Sequence, residues 1–230
     1  MGRTLDFELW TLDSYIIAVP FLSYIVTVLT GYLLGSVPTG FLVARAKGVD
    51  IRTVGSGNIG ATNTFRALGK PAGGFVLLAD GLKGYAAVAW LCALLMTVFG
   101  VPRAEAETHR VLAAIAVVLG HNYTCWLGFK GGKGIATTAG VYLALAPLAV
   151  GVAVAAWILL FAATRFVSVA SIAAAVALPA AVWLGNDSLL LGIVTTALGV
   201  LAIAKHRANI RRLLDGTEHR IRFKSKGTAT

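Results

Sequence analysis

The sequence predicts an all-α integral membrane protein with seven transmembrane helices, its N-terminus outside and its C-terminus cytoplasmic. Three observations carry that expectation: the composition, the lengths of the apolar runs and the placement of positive charge. Of 230 residues, 57% are hydrophobic and only 13% are charged, against a charged share of about 25% in soluble domains. Mean hydropathy is +0.80. Most of such a chain sits in lipid, and 1–230 is expected to form a single membrane domain with short connections.

The bilayer core takes about 20 apolar residues of helix, and the apolar runs place spans at roughly 15–34, 73–99, 111–129, 135–147, 148–163, 167–184 and 189–204. The fourth and fifth come from one long run with Pro147 near its middle, where a kinked span and two short helices are both open readings. Charge decides between them. Arg45, Lys47, Arg52, Arg66 and Lys70 face a lone Asp50 between the first two runs, and the tail 205–230 carries Lys205, Arg207, Arg211, Arg212, Arg220, Arg222, Lys224 and Lys226. Positive loops stay in the cytoplasm, so both segments lie there, which requires an odd number of spans.

The formal net charge of +10 would suggest nucleic acid in a soluble protein; here it fits cytoplasmic loops, anionic lipid headgroups and the capture of anionic substrates. Cys92 and Cys125 have the spacing of neither a disulfide framework nor a zinc site and read as small buried hydrophobes. Asp6, Glu8 and Asp13 against Arg3 oppose the positive leader of a signal peptide, so the first run is expected to be retained as a span. Gly2 starts a weak myristoylation match that Asp6 breaks.

The first cytoplasmic loop contains Gly55-Ser56-Gly57-Asn58-Ile59-Gly60-Ala61-Thr62-Asn63, followed by Arg66. Glycines let main-chain N–H groups turn toward an anion, Ser, Thr and Asn add neutral donors, and Arg66 adds a charged one. A phosphate-binding nest is expected; a flexible polar linker is the alternative. Gly55, Gly57 and Gly60 also match the dinucleotide fingerprint, with Asp80 at the right offset, but a strand and a soluble βαβ unit are missing.

A second stretch runs from Gly120-His121-Asn122 to Phe129-Lys130-Gly131-Gly132-Lys133-Gly134-Ile135-Ala136-Thr137. It is no ATP-binding P-loop, because Leu127 and Gly134 occupy the positions of the first glycine and the magnesium-binding hydroxyl. Two lysines on a glycine-rich turn opening a helix still suit phosphate. Lipid-surface anchoring would explain the lysines but not the glycines.

Asp80 and Lys83 share one helix face, as either a functional pair or a structural pair near the headgroups. His206 and Asn209 share another, at the cytoplasmic end of the last run, where a histidine with an intrinsic pKa of about 6.5 can serve as base or phosphate donor, a bystander at the membrane boundary being the alternative.

Taken together and in order, these motifs resemble the PlsY family of acyl-phosphate:glycerol-3-phosphate acyltransferases, from about Gly31 to Ile221. The carriers are Gly35–Gly40, Asp50–Gly69, Asp80–Gly84, the Gly120-His121-Asn122-Tyr123 and Phe129–Thr137 stretches, Thr164–Ile172, and His206–Glu218. One departure, Tyr123 or Thr124 where many relatives carry Pro, concerns loop shape. The resemblance implies a cytoplasmic-face site built from three motif-bearing loops. It places the nest at Ser56, Gly57, Asn58, Gly60, Ala61 and Thr62, and anion-binding side chains at Arg66, Lys133, Ser171, His206 and Asn209, with Ser168 a close competitor of Ser171. Gly132 joins the substrate-binding set; Ser56, Arg66, His206 and Asn209 are the catalytic set.

The expected reaction is attack of the C1 hydroxyl of glycerol 3-phosphate on the carbonyl of acyl phosphate, giving lysophosphatidic acid and phosphate in bacterial phospholipid synthesis. No acyl-enzyme is required, and neither cofactor nor metal is suggested. Other glycerolipid acyltransferases pair a His with an Asp across four intervening residues; none of His109, His121, His206 or His219 has that partner. Expected partners are the two substrates, the bilayer and, functionally, an enzyme that makes acyl phosphate, with no nucleic acid and a monomeric chain in the bacterial inner membrane. The competing class is a transporter of a phosphate-bearing anion, whose sites should lie inside spans rather than in loops.

Overall fold

The computed structural model describes residues 21–185 and 188–221, and most of them are helical. The beginning of the first apolar run, the acidic N-terminal residues and Arg222, Lys224 and Lys226 lie outside the described residues. The chain divides into two compact units between Leu145 and Ala146.

In the first unit, α1 (21–36) is followed by α2 (Thr39–Ala46), α3 (Ala61–Leu68) and α4 (Lys70–Ala86). From α4 a π-helical segment, Ala87–Leu91, leads without a break into α5 (Cys92–Val98). After it come α6 (Ala106–Asn122) and α7 (Ile135–Leu145). Backbone contact sets the spacing of these helices: a side chain at Gly35 would strike the Val117 backbone, at Gly120 that of Tyr32, and at Gly84 that of Thr137. Small residues allow this proximity where lipid supplies no hydrophobic force between helices.

The second unit consists of α8 (Pro147–Thr164), α9 (Val167–Gly185), α10 (Leu189–Lys205) and α11 (Arg207–Leu214). Pro147 opens α8 at its first helical position, where its missing N–H has no intrahelical acceptor to lose. The long run therefore divides into α7 and α8 beside the proline. Arg165, in the left-handed conformation at φ 62°, ends α8 and turns the chain into α9.

Five helical stretches among the described residues are long and apolar enough to cross a membrane: Phe21–Ala46, Lys70–Val98, Arg103–Leu127, Pro147–Thr164 and Val167–Gly185. A sixth arises if α10 and α11, bent by 52°, are taken as one. The 11 residues of α7 rise only about 16 Å, short of the roughly 30 Å core, so seven full-length spans do not emerge among the described residues. Helix α6 stops at Asn122, ahead of the end of its apolar run at Phe129, because the chain folds back: Gly131 N donates to Asn122 O at 3.2 Å and Gly132 N to His121 O at 3.0 Å. Those amides satisfy carbonyls that the helix end leaves open.

Candidate active site

The loop from Asp50 to Gly60 is held at both ends by apolar side chains. Ile51 and Ile59 are buried with Ala44 of α2, and Phe41, Val49, Ala67 and Leu68 pack around them. Burying such side chains stabilises by about 1.5–3 kcal/mol each, enough to fix the loop's feet. Its interior is organised by Asn63. The Asn63 Oδ1 accepts from Ser56 N at 2.9 Å, and its Nδ2 donates to Val54 O at 2.9 Å and Ile51 O at 3.2 Å. Asn58 Oδ1 accepts from Gly60 N at 2.9 Å, and Gly57 N donates to Val54 O at 3.1 Å.

Three amides of the nest expected from sequence are hydrogen-bonded within the loop. The amides of Ser56, Gly57 and Gly60 serve the loop itself, because side-chain oxygens of nearby Asn residues and a turn carbonyl reach them first. The loop instead presents the first turn of α3, whose Ala61 and Thr62 amides, at the first two helical positions, have no intrahelical acceptor. The loop is thus neither a nest of open amides nor a flexible linker. Arg66 lies on the same helix, half-buried, while Ser56 is exposed. Arg52 is committed elsewhere: it forms a two-pronged pair with Asp50, whose carboxyl its hydrogen bonds lower to about 2, and lies 5.1 Å over the Phe41 ring.

The second glycine-rich stretch uses its glycines differently. Gly131 lies against the His121 and Asn122 backbone, and a side chain on Gly132 would collide with the His121 imidazole. Lys133, half-buried, is thereby presented at the lip of α7. Asp80 and Lys83 prove to be buried, paired at 2.9 Å, and joined by Thr39 Oγ1, which donates to Asp80 at 3.1 Å. His121 Nδ1 stands 3.7 Å from the same carboxylate.

In the second unit His206 closes α10 and opens α11. Its Nδ1 lies 2.8 Å from Ala202 O; a carbonyl only accepts, so Nδ1 carries a proton. One turn on, Asn209 Nδ2 donates to Glu218 Oε1 at 2.7 Å. Ser168 Oγ donates to the same oxygen at 2.9 Å, and Arg212 Nε to Oε2 at 2.7 Å. Burial by itself would raise the Glu218 carboxyl, but the bonds from Asn209, Arg212 and Ser168 outweigh it and hold the group below its ordinary value. Ser171, equally buried, accepts from Trp157 Nε1 at 3.3 Å. Of the two competing serines, Ser168 is thus tied to the Asn209 anchor and Ser171 to an indole.

The predicted residues accordingly fall into two groups. Ser56, Gly57, Asn58, Gly60, Ala61, Thr62 and Arg66 form one continuous loop and helix, with Gly132 and Lys133 on the second loop of that unit; Ser171, His206 and Asn209 belong to the other unit. Sequence reasoning missed Asn63 and Glu218 as organisers. An Asn just inside a helix after a glycine run, and a Glu that with Asp215 is one of two acids in a basic tail, were the available signals.

Helices of this length and apolarity, interrupted by ordered polar loops, define a multi-pass integral membrane protein. The model of the glycerol-3-phosphate acyltransferase family matches residues 25–216. The chain belongs to that family. It is 46% identical over 201 residues to the glycerol-3-phosphate acyltransferase of Geobacter sulfurreducens, covering 87% of this chain and 99% of that protein. Against its counterpart in Synechococcus sp. (strain JA-3-3Ab), identity is 47% over 202 residues, with 87% and 94% covered. Among solved structures it is similar to PlsY, an integral membrane glycerol 3-phosphate acyltransferase, in its glycerol 3-phosphate form, at TM-score 0.77 and 39% identity over 87% of this chain and 96% of that one. The lysophosphatidic acid form gives TM-score 0.75 and 38% identity, with the same coverage.

Proposed function

We propose that the protein transfers a fatty acyl group from acyl phosphate to the 1-hydroxyl of glycerol 3-phosphate, releasing lysophosphatidic acid and phosphate. Family membership over most of the chain is the observation that carries this reading; the side chains supply its chemistry. Both substrates are anions, and the candidate groups are cations, amides and a histidine rather than paired carboxylates.

The N-terminus of α3, with its Ala61 and Thr62 amides, and the Arg66 and Lys133 side chains receive phosphoryl oxygens and the negative charge that develops on the attacked carbonyl. Ser56, Ser171 and Asn209 add neutral hydrogen bonds. The hydroxyl oxygen of glycerol 3-phosphate bonds to the carbonyl carbon, the bond from that carbon to the phosphate oxygen breaks, and phosphate leaves with the electron pair. The hydroxyl proton goes to His206 or to the departing phosphate, the two acceptors that the reaction offers. No covalent acyl-enzyme is needed, because acyl phosphate is already activated.

The reading places the chain in the bacterial inner membrane as a monomer, with seven spans counting the short α7, the N-terminus outside and the site on the cytoplasmic face. Positive charge between the first two helical runs and in the tail supports that orientation. An acyl-phosphate-making enzyme must supply the donor.

Purified protein in lipid nanodiscs, given palmitoyl phosphate and glycerol 3-phosphate without metal or CoA, is expected to form lysophosphatidic acid and phosphate in equal amounts. Palmitoyl-CoA is expected to give none. A folded preparation inactive with both donors would overturn the reading and bring anion transport forward.

A further inference from the structure

We propose that Asp80 and His121 are positioning residues for the loop that carries Lys133, an inference that rests on the reading of Lys133 as a ligand for an anionic substrate. Asp80 is 3% exposed and His121 6%. One carboxylate oxygen of Asp80 collects three neighbours: Thr39 Oγ1 at 3.1 Å, Lys83 Nζ at 2.9 Å and His121 Nδ1 at 3.7 Å. Lys83 Nζ also donates to Val37 O at 2.9 Å, so the cluster fixes the chain entering α2, the middle of α4 and the last turn of α6 against one another.

The other side of the His121 ring is the floor on which the loop rests. A Cβ at Gly132 would overlap the ring, with Cε1 only 2.7 Å away, and Gly132 N donates to the His121 carbonyl at 3.0 Å. Gly132 therefore lies directly against the ring, and the ring stands between that glycine and Asp80. Lys133 is the next residue. A buried ion pair is a weak source of stability, because apolar side chains of similar volume serve as well or better. Fixing the geometry of a neighbouring polar loop is a use that apolar replacements would not provide, and ionisable groups within membrane segments are functional candidates by default.

The test is a double-mutant cycle on the full chain in nanodiscs, with kcat and KM for glycerol 3-phosphate measured beside the melting temperature. D80N and H121N are each expected to raise KM about tenfold, with kcat changed less than about threefold, the pattern of a lost binding interaction. Because they act through Lys133, combining either with K133Q should give a KM within about twofold of K133Q alone. D80N leaves Lys83 without its counter-charge; should it fail to fold, the neutral pair D80N/K83M replaces it, and H121N carries the cycle independently.

Additive effects in the cycle, or a lowered melting temperature with KM unchanged, would overturn the inference and leave Asp80 and His121 as packing groups. A wild-type protein that turns over normally while K133Q keeps the wild-type KM would instead remove the reading of Lys133, and the inference with it.

Discussion

The two glycine-rich loops of the first unit look alike in sequence and are built on opposite principles. In the Asp50–Gly60 loop, glycine supplies turns: Gly57 sits at φ 69°, its missing side chain 3.0 Å from Arg52 O, and Asn63 and Asn58 absorb the amides that the turns point inward. In the Gly131–Gly134 stretch, glycine supplies room, since Gly131 and Gly132 lie flat on the end of α6. The lesson is that a glycine run between polar residues does not by itself mean open amides. It means only that something comes close, and here it is the loop's own asparagines in one case and a histidine ring in the other.

Four substitutions break or sharpen that contrast. The largest expected effect is at Gly132→Ala, where a methyl group must displace the His121 ring or the loop. A shift of about 1 Å at Lys133 should lower kcat/KM roughly 100-fold, read in the nanodisc assay. Asn63→Ala should follow. It leaves the Ser56 amide and the Ile51 carbonyl without their side-chain partner, while Val54 O keeps the Gly57 amide, costing about 1–3 kcal/mol, seen as a lower melting temperature and a higher KM for glycerol 3-phosphate. Gly57→Ala forces an alanine into the left-handed region at about 1–2 kcal/mol, which should lower the melting temperature by a few degrees. Gly74→Ala, on α4 with nothing within 4 Å of the new methyl, should leave activity unchanged and serves as the internal zero.

The corner of the second unit makes the same point without glycine, and through pH. Glu218 has its carboxyl held below its ordinary value by the bonds from Asn209, Arg212 and Ser168. A depressed carboxylate contributes stability that is complete above the unfolded pKa and lost as pH falls through the folded one. The melting temperature should therefore be flat above about pH 5 and decline below about pH 4, and Glu218→Gln should start lower and decline less over that window.

Helical, membrane-embedded character was legible because apolar run length is a direct physical requirement of the bilayer, and the break at Pro147 because proline cannot continue a helix. The shortness of α7 was not, since hydropathy sees the apolar run but not where the preceding loop ends at Gly134. Arg66, Lys133, His206 and Asn209 stood out as polar groups at helix ends. Glu218 did not, because its partners Ser168, Asn209 and Arg212 are assembled from two helices and the tail that no local pattern connects. The bonding of the Ser56, Gly57 and Gly60 amides within the loop was not legible for the same reason. Whether an N–H is open depends on which side chain folds over it, and Asn63 lies a full turn away.

The central claim is direct transfer between two bound anions, and intact-protein mass spectrometry tests it most directly. Protein incubated with palmitoyl phosphate alone should keep its unmodified mass and release no burst of phosphate, with both products appearing only after glycerol 3-phosphate is added. A palmitoyl adduct on the protein, with one equivalent of phosphate released beforehand, would contradict the account and move the chemistry to an acylated side chain such as Ser56.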